Sequence, residues 1–227
     1  PIYMPHERIN WNISVSATHS KSKYANIGNA FSALNESGKT GLHNTTRYYD
    51  GGSPTAICAV RSAGIDPATG KELFIKRDGT YSFTYDANDE VVCGDTEPDV
   101  EGLLGTTFYY KGFSFSCFFR YQYGGQLFNS SLFDKGETIC TADVYNNQDR
   151  RALYDRWSIS NRNAQFKGIS MVQKTDKSSR FVMDENPLTC ESINLGYEFP
   201  LNIAKKLGRQ ALSVPSNLND SVRWSPV

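Results

Sequence analysis

From Ile9 to Thr18 apolar and polar residues alternate without a break. Ile9, Trp11, Ile13, Val15 and Ala17 hold the odd positions, and Asn10, Asn12, Ser14, Ser16 and Thr18 the even ones. A period of two over this length predicts a β-strand, near residues 8–20, with one greasy face and one wet face. The pattern leaves the inward face open. In a soluble sandwich the apolar row packs into the core. In a membrane barrel it meets lipid, and the Asn/Ser row lines an aqueous lumen.

The clearest hairpin is "GTTFYYKGFSFSCFFRYQYGG". It predicts strands near 101–110 and 113–123 around a Lys111-Gly112 turn, where glycine supplies the positive φ of a tight primed turn. After the turn Phe113, Phe115, Cys117, Phe119, Tyr121 and Tyr123 share one face. Ser114, Ser116, Arg120 and Gln122 share the other, interrupted by Phe118. Before the turn Leu104, Thr106, Phe108 and Tyr110 form a softer apolar row. "ESINLGYEF" predicts a strand near 190–199 with Ile193, Leu195, Tyr197 and Phe199 in line. "PLNIAKKLGRQ" reads as a short polar connection, and "ALSVPSNLND" as a fifth strand near 210–219. Pro215 argues against that last strand, because proline cannot donate to a ladder.

The connections between these strands alternate in length. Residues 21–99 and 124–189 are long; the Lys111-Gly112 turn and the stretch after Phe199 are short. In an up-and-down arrangement every long connection then lies at one end, as in outer-membrane barrels with long extracellular loops and short periplasmic turns. Greek-key sandwiches have no reason to sort their loops this way. Loops of this size are usually functional or folded on themselves. Within them "AICAVRSAGI" and "YSFTYDANDEVV" read as accessory strands. "NNQDRRALYDRW" reads as a helix capped by Asn146 or Asn147, with Leu153 and Trp157 on one face.

Composition narrows the class. The 227 residues carry 24 basic and 24 acidic side chains, so no bulk field draws the chain to nucleic acid or to anionic lipid. Aromatics at 13% and plentiful Gly turns favour an all-β protein. No apolar run reaches about 18 residues, so no transmembrane helix is expected, although barrel strands carry a weaker signal. The opening "PIYMPHERIN" has neither an initiator Met nor a signal peptide, as though cut from something longer. Cys58, Cys93, Cys117, Cys140 and Cys190 are scattered, odd in number and without metal spacing, and read as small semi-apolar substitutions.

Motifs for chemistry fail one by one. "SGKTG" lacks the glycine five residues before its Gly-Lys pair, since Ala33 stands there. "DANDE" starts like a calcium loop, but Val91 replaces the turn-forming glycine and excludes an EF-hand. A looser oxygen-ligand calcium site in that loop stays open; otherwise no cofactor is expected. His6, His19 and His43 have no ligand spacing, and no GxSxG elbow occurs. The chain carries no enzyme signature. Trp11, Tyr109, Tyr110, Phe113, Tyr197 and Phe199 lie where an aromatic belt would, with cross-strand packing as the competing role. In the long loops Arg47, Tyr48, Tyr49, Arg61, Arg151, Tyr154, Arg156, Trp157, Arg180 and Phe181 are candidate ligand or partner contacts, with loop scaffolding as the alternative.

A resemblance sharpens this picture. "TRYYDGGSP", "AVRSAGIDPATGKELF", "KRDGTYSFTYD", "YYKGFSFS", "RRALYDRW", "AQFKGIS", "SSRFVMDEN" and "ESINLGYEF" resemble, in order, the C-terminal barrel region of SusC/RagA-type TonB-dependent outer-membrane transporters. The resemblance implies part of a 22-stranded antiparallel barrel in the outer membrane of a Gram-negative bacterium. It further implies import of oligosaccharides or peptides, a SusD-like surface lipoprotein as partner, and energy from the TonB complex through an N-terminal part these residues do not include. The two long connections would then be extracellular loops. Cys58 stands where the family usually has an aromatic, and the tail "ALSVPSNLNDSVRWSPV" loses the family pattern, which suggests truncation or a frameshift.

The expectation is therefore a partial antiparallel transmembrane β-barrel with about five strands, too few to close alone. Asn10, Asn12, Ser14, Ser16, Ser114, Ser116, Arg120, Gln122, Asn194 and Glu198 would line a hydrated passage. Two alternatives stay open: a soluble β-sandwich carbohydrate-binding module, and a secreted glycoside hydrolase fragment.

Overall fold

A computed structural model describes residues 9–41, 43–137, 149–168, 175–206 and 208–225. The first half of the chain gives β1 (Asn10–Thr18), α1 (Ser32–Thr40), β2 (Ala56–Ile65), β3 (Glu72–Ile75), β4 (Tyr81–Ser82) and β5 (Glu90–Asp95). Then come β6 (Val100–Tyr110), β7 (Phe113–Tyr123), β8 (Gly125–Phe128), α2 (Ser130–Gly136) and α3 (Arg150–Tyr154). The rest holds β9 (Val182–Glu185), β10 (Leu188–Glu198), α4 (Leu201–Lys206) and β11 (Ser213–Trp224). The chain divides into two compact units, one of residues 1–20, 98–124 and 185–227, the other of residues 21–97 and 125–184.

The first unit is a five-stranded antiparallel sheet in the order β1-β6-β7-β10-β11, which is also the order of these strands along the chain. Both long connections leave and re-enter the sheet at one end, and both short ones at the other. Among the described residues the sheet does not close on itself; β1 and β11 are its edges. Pro215 sits in edge strand β11, opposite Gly196, where a missing N–H on the open side costs no ladder bond. That strand runs over Ser213–Trp224, beginning and ending later than the sequence pattern predicts. Where a plain polar connection was expected, Leu201–Lys206 forms a helical turn.

Register sorts the side chains. Trp11, Phe108, Phe115, Leu195 and Ser216 form one row across all five strands; the next row on the same face is Ile13, Thr106, Cys117, Ile193 and Leu218. Between them, on the opposite face, runs Asn12, Thr107, Ser116, Asn194 and Asn217. Tyr109 pairs with Asn10 and Ser114, so it belongs to the polar face and not with Tyr110. The whole of β1 is exposed, with Trp11 at 66% and Val15 at 68%.

Two aromatic rings cover strand glycines. Phe118, the interruption in the polar row, lies opposite Gly105, where a Cβ would meet its ring at 2.7 Å. On the other face Tyr121 lies across Gly102 and donates to the Ser16 carbonyl at 2.9 Å. The β6–β7 turn has positive φ at both Lys111 (47°) and Gly112 (82°), the conformation of a type I′ hairpin. A Cβ on Gly112 would meet the Glu198 carbonyl oxygen at 2.5 Å. Gly112→Ala is expected to cost more than about 1 kcal/mol, and Lys111→Asn to be neutral or mildly stabilising, by thermal unfolding.

The second unit is built around β2, whose residues Ala56 to Val60 are all buried. It is central in a sheet of order β4-β3-β2-β5, beside a β8–β9 ribbon. Leu132, Phe133, Ala152, Phe166 and Phe181 form an apolar cluster, with Phe133 and Phe181 rings edge to face at 5.3 Å. Asp149 caps α3 by accepting from the Arg151 N–H at 2.9 Å, whereas Asn146 and Asn147 lie outside the described residues. The helix ends at Tyr154, so Trp157 is not on it, and Leu153 faces solvent at 71% exposure. Cys140 also lies outside the described residues.

Candidate functional site

The polar face of the five-stranded sheet gathers all ten residues singled out as passage-lining. β1 contributes Asn10, Asn12, Ser14 and Ser16; β7 contributes Ser114, Ser116, Arg120 and Gln122; β10 contributes Asn194 and Glu198. Alternation along each strand and the pairing between strands put them on one side. Asn194 Nδ2 donates to Ser116 Oγ at 3.1 Å, and Gln122 Nε2 to Glu101 at 3.3 Å. Ser16 Oγ accepts from the Leu103 N–H at 3.1 Å. The Arg120 guanidinium meets Glu191 at 2.5 Å, and Glu191 is the extra residue of a bulge in β10. This face presents amides and hydroxyls together with the Arg120–Glu191 and Arg223–Glu185 ion pairs. Sequence reasoning missed Glu101, Thr107, Asn217 and Asn219, because β6 and β11 alternate weakly and only pairing register reveals their side, and it missed Glu191 because a bulge there breaks the alternation.

The loop residues divide by burial. Arg47 is buried, its guanidinium 2.5 Å from Glu90 and its Nη1 donating to the Thr46 carbonyl at 2.7 Å. Arg180 bridges Glu72 at 2.9 Å and Glu137 at 2.8 Å. Burial opposes its charge, yet the two carboxylates hold its pKa above the ordinary arginine value. Arg156 donates to the Gly136 carbonyl at 2.6 Å, and burial lowers its pKa against the pull of Glu137. Trp157 donates to the Pro67 carbonyl at 3.1 Å and packs where Gly70 leaves room. Phe181 is core, and Tyr48 stacks with Tyr24 and Phe31 at 5.7 and 5.3 Å. Arg151 is held by Asp149 at 2.9 Å.

Tyr49, Arg61 and Tyr154 keep exposed surface. Tyr49 lies over Gly52 and lines a cavity of about 510 Å³ with Arg47, Cys58 and Arg77. A second cavity of about 420 Å³ is lined by Ile65, Leu132, Phe166, Phe181, Met183 and Arg180. The Cys58 thiol is pushed up by burial, which Arg47 opposes, and is therefore a poor nucleophile. In the loop from Asp86 to Glu90, Asp86 accepts from the Asn88 N–H at 2.9 Å and Asp89 from the Arg77 N–H at 3.2 Å. Among the described residues no cluster of three His, Cys, Asp or Glu side chains could hold a metal ion.

No protein-family model matches the chain. Over 166 residues it is 28% identical to TonB-dependent receptor P3 of Formosa agariphila, an alignment covering 72% of this chain and 15% of that receptor. The chain is homologous to part of a TonB-dependent receptor. Such receptors are outer-membrane transporters of Gram-negative bacteria and are not enzymes. The solved RagAB peptide transporter matches the fold with a TM-score of 0.71 at 20% identity, over 96% of this chain and 24% of that one. The RagAB peptide importer in its open-open state matches with 0.70 at 21% identity, over 100% and 24%. The residues in hand thus span about a quarter of the transporter chain whose antiparallel β fold they share, and a smaller share of the curated receptor.

Proposed function

We propose that this chain forms consecutive strands in the barrel wall of a TonB-dependent transporter, with its apolar rows against lipid and its polar rows lining a hydrated passage. The two-sidedness of the sheet carries this reading. At the short-turn end the apolar face holds Trp11, Tyr110, Phe113 and Tyr197; at the long-loop end it holds Tyr121, Tyr123 and Trp224. Val15, Leu104, Cys117, Ile193 and Leu218 lie between. From Phe113 to Tyr123 is about 33 Å at ~3.3 Å per residue. A strand tilt of about 40° reduces this to about 25 Å, the height of the apolar band of such barrels between its aromatic girdles. The Trp11 indole N–H, otherwise costly in lipid, donates to Thr106 Oγ1 at 2.9 Å.

The edges agree with a larger wall. In hydrocarbon each unsatisfied backbone group costs several kcal/mol, so β1 and β11 need neighbours from the rest of the receptor. Residues 21–99 and 124–189 are then extracellular, where they meet cargo and a SusD-like surface lipoprotein. The cargo class is peptide or oligosaccharide, and the shared fold with a peptide transporter favours peptide. Energy enters from the TonB complex through the receptor's N-terminal region. A soluble carbohydrate-binding sandwich would need Trp11 and Val15 dry, and both are mostly exposed.

Cysteine accessibility tests the sidedness. In the membrane-inserted receptor, Ser116→Cys and Asn194→Cys are expected to react with a membrane-impermeant maleimide above the unsubstituted background. Val15→Cys and Leu104→Cys are expected to stay unlabelled until detergent strips the lipid. The opposite pattern, or a protein that needs no detergent and shields the Trp11 row, overturns the reading.

A further inference from the structure

The short-turn end of the sheet carries a feature that passage lining does not use. Its two turns touch where the Glu198 N–H donates to the Gly112 carbonyl at 2.7 Å, and the β10–β11 turn is closed by the Phe199 N–H donating to the Leu212 carbonyl at 2.9 Å. The β10–β11 turn holds α4, whose Ala204 is fully buried while Leu201 (53%) and Ile203 (45%) are exposed. The helix ends in a Schellman closure. Gly208, at φ 68°, donates to the Lys205 carbonyl at 3.0 Å, and Arg209 donates to the Ala204 carbonyl at 2.9 Å. This stop fixes Lys205, Lys206 and Arg209 at the sheet end, all three exposed. Lys111, exposed on the neighbouring turn, lies over the Tyr110 ring at 5.2 Å. From Phe108 to Phe115 and from Gly196 to Val214 the acidic side chains reduce to Glu198, against these four cations.

We propose that this end is a binding collar for anionic phospholipid headgroups. It rests on the barrel reading, in which the short turns face the periplasmic leaflet. The layers follow an interfacial element: apolar rows, then the rings of Tyr110, Phe113 and Tyr197, then exposed Leu201 and Ile203, then cations at headgroup depth. The chemistry recognised is a phosphodiester anion beside acyl chain. A free phosphate offers no apolar partner for Leu201 and Ile203, which is why lipid is the occupant. An anionic lipid here would seat the wall in the bilayer at the depth the aromatic rows define.

The test uses the complete receptor in phosphatidylcholine nanodiscs doped with phosphatidylglycerol, with retained lipid counted by native mass spectrometry. The unsubstituted receptor is expected to retain phosphatidylglycerol preferentially, and about 1 M salt to abolish the preference by shrinking the screening length to about 3 Å. Lys205→Gln, Lys206→Gln and Arg209→Gln together are expected to lower the preference by roughly fivefold for each cation removed. Free glycerol phosphate is expected not to compete. An unchanged preference in the triple variant, equal retention of both lipids by the unsubstituted receptor, or displacement by glycerol phosphate overturns the collar. Failure of the barrel reading looks different: the receptor would then not insert into nanodiscs at all.

Discussion

Ile193→Arg is expected to destabilise the inserted receptor by about 2–4 kcal/mol, whereas Asn194→Arg, the next residue, should cost under about 1 kcal/mol. Ile193 lies opposite Cys117 and Leu218; in the barrel proposed above it is midway between the two aromatic girdles, and its replacement would place a guanidinium near the bilayer midplane. Asn194 lies in the polar row with Ser116 and Asn217, where an added cation meets water. Urea unfolding from lipid, read by heat-dependent mobility on gels, measures both. Ile193→Ala completes the set. In lipid the acyl chains fill the space left by the side chain, so the expected loss is below about 1.5 kcal/mol. In a dry core the residual cavity would raise it to about 2–5 kcal/mol. A loss in the higher range would place the apolar row inside a protein core and remove the membrane wall.

The five-stranded sheet was legible because one physical rule governs most of its positions: side chains alternate with period two, most cleanly in β1 and, Phe118 apart, in β7. Where the rule softened, so did the reading. β11 combines Pro215 with polar residues on both faces, and only its edge position explains how proline is tolerated there. Phe118 looked like an error in the polar row and is the ring that covers Gly105, a cross-strand relation that no single strand displays. The inserted unit was far less legible. Its strands β3, β8 and β9 are four residues each; β8 and β9 meet across 58 residues of sequence, as from Gln126 to Asp184, and the Arg180–Glu72 pair spans 108. Arg47 and Arg180 were nominated as contacts from residue type alone. Burial separates them from Tyr49 and Tyr154, and burial is a tertiary property.

That burial sets the second large effect. The segment Lys177-Ser178-Ser179-Arg180 crosses β2, with Ser178 bridged to Val60 and the Val60 N–H donating to the Lys177 carbonyl at 3.2 Å. On one side Lys177 reaches Glu90, the first residue of β5, at 2.8 Å; on the other Arg180 reaches Glu72, the first residue of β3, at 2.9 Å. Four charged side chains thus clamp residues 175–184 onto residues 56–95, joining the two long insertions into one unit. Removing one partner strands a buried charge. Arg180→Met is expected to cost about 3–5 kcal/mol in this unit, and the double variant Arg180→Met with Glu72→Met markedly less than the two single changes added together. Hydrogen exchange of the β2 amides reads the unit separately from the sheet.

Acid titration checks the same clamp with a definite sign. Burial raises the Glu72 pKa, but the hydrogen bond and charge of Arg180, with Lys167, outweigh it and leave the pKa below its ordinary value. A carboxyl depressed in the folded state contributes stability above its unfolded pKa and loses it as pH falls through the folded one. Glu72→Gln should therefore flatten the acid limb of unfolding below about pH 4.3, the ordinary glutamate value. Asp176 behaves oppositely. Burial raises its pKa despite Lys167 at 3.8 Å, so its ionised form costs stability above the unfolded pKa and protonation relieves that cost. Asp176→Asn is expected to be neutral or stabilising at pH 7, while Glu72→Gln is destabilising there. Equal losses for both would show that the clamp works by packing volume and not by charge.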